Sequence, residues 1–250
     1  MVKSALRVCQ LLTLISKNKG GLRNAEIAKA LSMPTSSTSK LLATLVDQKF
    51  VSLDSETLRY SVGHQLLSLA GSYLDGLDLT QYSRPVVEKL AEDTGESVAV
   101  LIRTSQKVMV IFKIDSNQII KPSMQIGQRS PMYASSSGKV ILAFLPENEL
   151  ERYFSSVKFN PITKKTITDP KILRRQLEKI RSTGLAYNRE ELEDQIIAIA
   201  APIFDLFEIV VASLLVYLPT VRFTKKKRKQ IESCLKKAAK ELSNKHGFKG

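Results

Sequence analysis

The stretch Leu22-Arg-Asn-Ala-Glu-Ile-Ala-Lys-Ala-Leu-Ser-Met-Pro-Thr-Ser-Ser-Thr-Ser-Lys-Leu-Leu-Ala-Thr-Leu-Val-Asp-Gln-Lys-Phe50, with the residues that follow it to Ser61, decides how this chain is read. Asn24 to Leu31 predicts a short helix, and Asn24 is placed to cap its free N–H groups. Ser32-Met33-Pro34 breaks it, because proline pushes the preceding residue toward extended backbone and suits the first turn of a new helix. The second helix is predicted from about Thr35 to Lys49, with Thr38, Leu41, Leu42 and Leu45 at helical spacing on one face. Thr35, Ser36, Ser39 and Lys40, with Ser37 beside them, form its polar N-terminal nose. A small polar nose with an apolar back is what a helix needs to enter the DNA major groove. Phe50–Leu53 and Leu58–Ser61 then flank Asp54–Thr57 as the two strands of a wing, with Arg59 near the phosphates. The stretch reads as a winged helix-turn-helix. The rival reading is a helical hairpin inside a larger core with its small polar face in solvent; the β-ribbon directly after the proline-bearing turn favours DNA.

Working outward, Ser4 is expected to cap a supporting helix that runs to about Lys17 on a stripe of Leu6, Cys9, Leu12 and Ile15, ended by Gly20-Gly21. Gly63 to Leu77 predicts a linker helix carrying Leu66, Leu67, Leu69, Ala70 and Leu74. Gly76 and Asp78 interrupt it, which gives residues 1–62 as a DNA-binding domain, 63–77 as the linker and 78–250 as a second domain. There a helix at Leu79–Asp93 leads to strands at Ser97–Arg103 and Val108–Ile114, with a weaker strand at Ile119–Gln125 that Pro122 places at an edge or bulge. Helices are predicted at Ser137–Phe144, Glu147–Phe154 and Pro170–Thr183, the last with Asp169 as its cap. Strands return at Leu185–Arg189, Ile196–Phe204 and Ile209–Leu218, and a helix from Thr224 to about Lys245 presents Ile231, Leu235, Ala238 and Leu242. The second domain is therefore α+β, a mostly antiparallel sheet with helices against it.

An apolar content of 43% over 250 residues supports a real core, and the formal net charge of +14 favours a polyanionic partner. That charge is unevenly placed. Residues 1–80 hold nine Lys/Arg against six Asp/Glu, whereas 225–250 hold ten against two. The run Lys225-Lys-Lys-Arg-Lys229 either grips phosphates or forms a solvated first helical turn, where five cations oppose the helix dipole. The reading preferred for it is the solvated turn. Cys9 and Cys234 are expected to be buried thiols in a reducing cytosol, since two distant cysteines with His64 and His246 offer no ligand cluster. The longest apolar run, Ile209 to Leu218, is too short to span a bilayer. The expectation is a cytoplasmic protein with no membrane contact, no metal and no cofactor.

Catalytic patterns fare poorly. Ser136-Ser-Gly-Lys139 matches S-x-x-K, but S-D-N and K-T-G companions are missing, and Tyr133 and Val140 break a phosphate-loop pattern. His64 and His246 are badly placed for a triad, and Glu190, Glu191, Glu193 and Asp194 read as a solvated acidic turn. A sensor pocket fits better: Ser135-Ser136-Ser137-Gly138 at a helix mouth offers N–H groups to an anionic or polar ligand. The protein is expected not to be an enzyme.

Nearly the whole chain resembles the IclR family of bacterial and archaeal transcription regulators. The likeness rests on Leu22–Ala28 through Leu41–Leu45, on Gly138-Lys139 after Ser130–Ala134, and on Ile167-Thr-Asp-Pro170, Arg189-Glu-Glu191 and Ala200-Ala-Pro-Ile-Phe204. It implies a winged helix-turn-helix joined by the linker helix to a GAF-like effector domain, dimers often paired into tetramers, near-palindromic operators, and small organic acids or aromatic metabolites as effectors. Against the family pattern, Asn188 stands where the pocket strand has an acid, Gln195 for a glycine and Ala198 for a frequent cysteine. Leu215 and Tyr217 replace small hydroxyl residues, and Asp205-Leu-Phe-Glu208 replaces an Asp-Gly hairpin. The pocket is thus expected to be more apolar than one built for keto acids, suiting an aromatic or apolar effector or sensing nothing.

These observations predict a sequence-specific transcriptional regulator. Lys40 and the Ser/Thr nose read bases, while Arg23, Lys49 and Arg59 hold phosphates. The alternatives are a non-specific chromatin-like DNA binder using the basic C-terminal helix, and an acyl-transfer enzyme using Ser136 and Lys139.

Overall fold

The computed structural model describes the backbone of residues 2–75 and 79–249, and their side chains apart from 72–82. It divides into two compact units, Met1–Leu77 and Asp78–Gly250. The interruption expected at Gly76 and Asp78, and the side chain of Leu74, lie outside the described residues.

The first unit packs α1 (Lys3–Ser16), α2 (Asn24–Ala30) and α3 (Thr35–Asp47) beside a two-stranded antiparallel ribbon of β1 (Val51–Leu53) and β2 (Tyr60–Val62), followed by α4 (Gln65–Asp75). Leu11, Ile15, Ile27, Leu42, Leu45 and Val51 make its core, closed by Val8, Leu12, Leu22, Phe50 and Tyr60. Each such aliphatic side chain contributes about 1.5–3 kcal/mol when fully buried. Four local expectations are corrected. Ser4 does not cap α1, because Val2 occupies the cap position. Leu11 and Ile15 carry its burial, which turns Leu6 and Cys9 outward. Cys9 is therefore exposed and Cys234 only half-buried, so neither is a core thiol. Asn24 is the first helical residue of α2 rather than its cap; Glu26 reaches back instead, accepting from the Arg23 N–H at 2.7 Å. Gly63 is needed for packing, since a Cβ there would lie 2.2 Å from the Lys49 carbonyl oxygen.

The second unit holds α5 (Leu79–Thr94), β3 (Ser97–Thr104), β4 (Lys107–Ile114), β5 (Arg129–Pro131), α6 (Ser136–Ala143), α7 (Glu147–Ser156), α8 (Pro170–Thr183), β6 (Ala186–Arg189), β7 (Ile196–Phe204), β8 (Val210–Pro219) and α9 (Lys225–Lys245). The strands form one antiparallel sheet in the order β5-β4-β3-β8-β7-β6. Side chains alternate across it, as strand pleating dictates. Ala99, Leu101, Ala198, Ala200, Leu215 and Tyr217 join the core under α6 and α8. Val98, Val100, Ile199, Leu214 and Val216 are also buried, on the face packed by α5 and α9. In α9, Ile231, Leu235, Ala238 and Leu242 are buried, and Thr224 caps the helix by accepting from the Lys227 N–H. The edge strand expected at Ile119–Gln125 does not form. Ile119 and Ile120 are exposed, Pro122 lacks an N–H, and the sheet edge is taken by β5 at Arg129–Pro131 instead. Among the described residues no helix is long and apolar enough to cross a membrane.

Candidate functional site

Each unit presents one candidate surface. In the first, the apolar back of α3 is the buried trio Thr38, Leu42 and Leu45, which fixes the direction of the opposite face. Thr35, Ser36, Ser39 and Lys40 are exposed at that face and Ser37 is half-buried. Ser39 donates to the Thr35 carbonyl and accepts from the Asn24 amide, so α2 steadies the nose of α3. Arg23 and Lys49 are exposed, and Lys49 adopts φ +61° where the chain turns from α3 into β1. Arg59 is engaged: its Nη1 donates to the Gly21 carbonyl at 2.8 Å and lies 3.5 Å from Glu26. The Leu22–Tyr60 bridge sets Arg59 beside Gly21, so it braces the wing root while its guanidinium stays partly exposed. In the wing, Asp54 accepts from the N–H groups of Glu56 and Thr57, both at 2.9 Å, and these bonds hold its carboxyl below the usual range.

In the second unit, Ser135, Ser136, Ser137, Asn188, Ala198, Leu215 and Tyr217 line one cavity of about 60 Å³. Ser135 caps α6, accepting from the Gly138 N–H at 3.1 Å and donating to the Pro131 carbonyl. Gly138 is not on the wall. A Cβ there would sit 2.2 Å from the Met132 Cα, so its role is to let α6 lie against that backbone. Asn188 is held by the fold: its amide donates to the Ala134 carbonyl and its oxygen accepts from the Glu191 N–H. The hydroxyls of Ser136, Ser137 and Tyr217 are buried with no hydrogen-bond partner. Burial, with the Asp115 charge nearby, pushes the Tyr217 phenol above its ordinary pKa. A buried unpaired hydroxyl is costly, about 1–3 kcal/mol, and several of them at one cavity make it the candidate ligand site of this unit.

Residue reading missed Leu101, Met124, Gln128, Leu192 and Ile196 on this wall, and with them Pro122, Ser123, Ser130 and Glu193. Leu101 was recoverable, because strand alternation sets it on the same face as Ala99, whose partner is Leu215. Met124 comes from the 115–128 connection, where no periodic signal exists. The wall is mixed in character. Leu101, Met124, Leu192, Ile196 and Leu215 supply apolar surface, while Ser123, Gln128, Ser130, Glu193 and the Tyr217 hydroxyl supply polar groups.

The acidic turn is also corrected. Glu191 is 4% exposed and its Oε1 lies 2.6 Å from the Nζ of Lys139, itself 1% exposed. Gln176 accepts a further bond from Lys139 at 3.2 Å. Burial drives the Lys139 pKa below its ordinary value against the pull of Glu191. Lys139 is thus committed to Glu191 and Gln176 and makes no bond to Ser136, which removes the geometry an S-x-x-K nucleophile requires. Lys225–Lys229 is the exposed first turn of α9 that was expected, except at Lys227, which is half-buried and donates to the Thr94 carbonyl; Arg228, though exposed, pairs with Glu232.

The model of the IclR helix-turn-helix domain matches residues 4–55, and that of the bacterial transcriptional regulator IclR C-terminal region matches residues 71–244. The chain is 30% identical to the HTH-type transcriptional regulator KipR of Bacillus subtilis over 98% of both proteins. Among solved structures, the Thermotoga maritima IclR superposes with a TM-score of 0.84 at 31% identity, covering 98% of this chain and 99% of that one. An IclR homolog from Microbacterium hydrocarbonoxydans, solved with 4-hydroxybenzoate, shares the fold with a TM-score of 0.84 at 21% identity, covering 97% and 98%. With both domains matched in order and the fold shared along its length, the chain belongs to the IclR family of DNA-binding transcriptional regulators, which carry a C-terminal effector domain.

Proposed function

We propose that α3 reads a specific operator and that the serine-lined cavity binds the small molecule that tunes this binding. The observation that carries the first half is the exposed Thr35-Ser36-Ser39-Lys40 face on a helix whose back is locked into the core. Lys40 contacts a base edge; Arg23 and Lys49 hold phosphates, and Arg59 assists them from the wing root. The sensor half rests on the three unpartnered hydroxyls around one cavity. The operator is near-palindromic and the protein acts in the cytoplasm as a dimer or tetramer.

The effector is more apolar than a keto acid. A cavity of about 60 Å³ is small for an aromatic ring, so such a ligand enters by displacing the segment around Pro122 and Met124 that forms one side. The homolog solved with 4-hydroxybenzoate offers the probe. Calorimetry is expected to show 4-hydroxybenzoate binding and no micromolar binding of pyruvate; the reverse result overturns the apolar reading.

The regulator reading is tested by selecting duplexes from a random pool, then measuring anisotropy of the winner against a scrambled duplex near physiological salt. A preference of ~10³ or more establishes specific readout. Equal, steeply salt-dependent binding to both means phosphate contacts alone and restores the chromatin-like alternative. That alternative has less to work with than its sequence suggested, since Lys227 and Arg228 are already bonded within the unit.

A further inference from the structure

A second concavity in the effector domain is larger than the serine-lined one. It encloses about 390 Å³ between α8, the edge strand β6 and α9, within the size range typical of small-molecule sites. Lys179 comes from α8, Arg189 from β6, and Arg228 and Lys236 from α9. Its two acids are already matched: Glu191 by the buried Lys139, and Glu232 by Arg228 and the Tyr187 hydroxyl. Two guanidinium groups approach the Tyr187 ring, Arg189 at 5.2 Å and Arg228 at 5.7 Å. Lys179, Arg189 and Lys236 make no ion pair among the described residues. Cations from three elements therefore outnumber the acids at one cleft, with Lys236 sharing the field of Glu232, and the walls focus a positive potential. An independent observation concerns Glu191. Although buried on this wall, it uses only Oε1 for Lys139, and its Oε2 has no partner. The cleft thus presents cations to a compact anion and one open carboxylate oxygen to a hydroxyl.

We propose that this cleft is a second ligand site, separate from the effector cavity, for a small phosphorylated polyol. The phosphoryl group sits among Arg189, Lys179 and Lys236; a guanidinium fork matches two phosphate oxygens and the lysines act as point charges. A ligand hydroxyl donates to Glu191 Oε2. The Glu191 N–H is bonded to Asn188 Oδ1, so the two sites share the backbone of residues 188–191.

The test titrates glucose 6-phosphate, inorganic phosphate and glucose into the full chain by calorimetry. The proteins are the wild type, the Lys179→Ala/Lys236→Ala double variant and Ala198→Leu, which fills the serine-lined cavity. Glucose 6-phosphate is expected to bind saturably, to weaken by about tenfold or more in the double variant through loss of charge-assisted contacts, and to be unaffected in Ala198→Leu. Glucose alone gives no heat and inorganic phosphate binds more weakly. Both lysines are exposed, so the double variant keeps the wild-type melting curve. The proposal is overturned by absent or non-saturable binding, by binding that survives the double variant, or by inorganic phosphate binding as tightly as the sugar phosphate. Loss in Ala198→Leu alone also overturns it, by moving the ligand to the effector cavity, and leaves the proposed effector function standing.

Discussion

Two helix starts in this chain have nearly the same composition and opposite fates. Thr35-Ser-Ser-Thr-Ser-Lys40 opens α3 and Ser135-Ser-Ser-Gly-Lys139 opens α6. At α3 the lysine and most hydroxyls are exposed, and the cap position is Pro34, whose side chain has no acceptor for the free N–H groups. At α6 the cap is Ser135, every residue to Ala143 is buried, and the lysine is sealed against Glu191. The same residue types thus form an exposed polar face in one unit and a cavity wall in the other. What separates them is the neighbours: α3 has one apolar flank and no cover, whereas α6 is covered by α8 and the sheet.

The sharpest way to break this comparison is at the α6 end. Gly138→Ala drives a Cβ into the Met132 backbone and is expected to cost about 3 kcal/mol or more, read as a drop in the urea midpoint; Ser37→Ala at α3 leaves that midpoint in place. Lys139→Met strands a buried carboxylate and costs about 3–5 kcal/mol, most of it restored by adding Glu191→Leu. Lys40→Met changes stability negligibly. The Lys139 pair also carries a pH signature. Its folded pKa lies below the unfolded value, so the unfolded chain binds the proton more tightly. Stability from this group is complete above the unfolded pKa and is lost as pH falls through the lower folded one. Urea unfolding at pH 8 and pH 10 should therefore show the wild type gaining on the Lys139→Met/Glu191→Leu variant as pH rises, and a flat difference removes the claim.

At the α3 end the expected effects are on DNA. Lys40→Ala should weaken operator binding by about 1–3 kcal/mol while sparing a scrambled duplex, if it reads a base; an equal loss on both makes it a phosphate contact. The smallest effect sharpens the contrast most. Ser136→Ala removes a buried hydroxyl that has no partner, so it should leave stability unchanged or raise it by up to about 1 kcal/mol. The same variant is expected to weaken effector binding. Ser36→Ala should move stability by less than about 0.5 kcal/mol and act only on operator affinity.

The reading head was legible because its signals are local. The Met33-Pro34 break, the helical spacing of Thr38, Leu42 and Leu45, and the ribbon after Phe50 lie within forty residues of one another and survive in the structure. So did Asp169-Pro170 at the start of α8 and the apolar stripe of α9. Failures came where partners are distant in sequence. Glu191 looked like solvent-facing acid until Lys139, 52 residues away, was placed against it. Lys227 looked free until it met the Thr94 carbonyl. The strand expected at Ile119–Gln125 had suitable residue types, but the β4 edge was claimed by Arg129–Pro131. Several residues of the serine-lined cavity followed from the serine run and the family likeness, while Met124 came from a connection that carries no period. Arg59 was visible as a cation; that Gly21 and Glu26 would engage it was not.

The pairing of β3 with β8 has a consequence for how the protein is born. Leu101 and Ser213, side by side at the centre of that sheet, are 112 residues apart. At synthesis rates of about 5–20 residues per second, β3 waits on the order of 6–20 s for its neighbour. The helix-turn-helix, whose core contacts all close within its own first sixty residues, has no such wait. A nascent chain therefore carries a finished DNA-reading head while the domain meant to receive a signal is still half-made, and every newly translated copy passes through an interval in which it has an address but no listener.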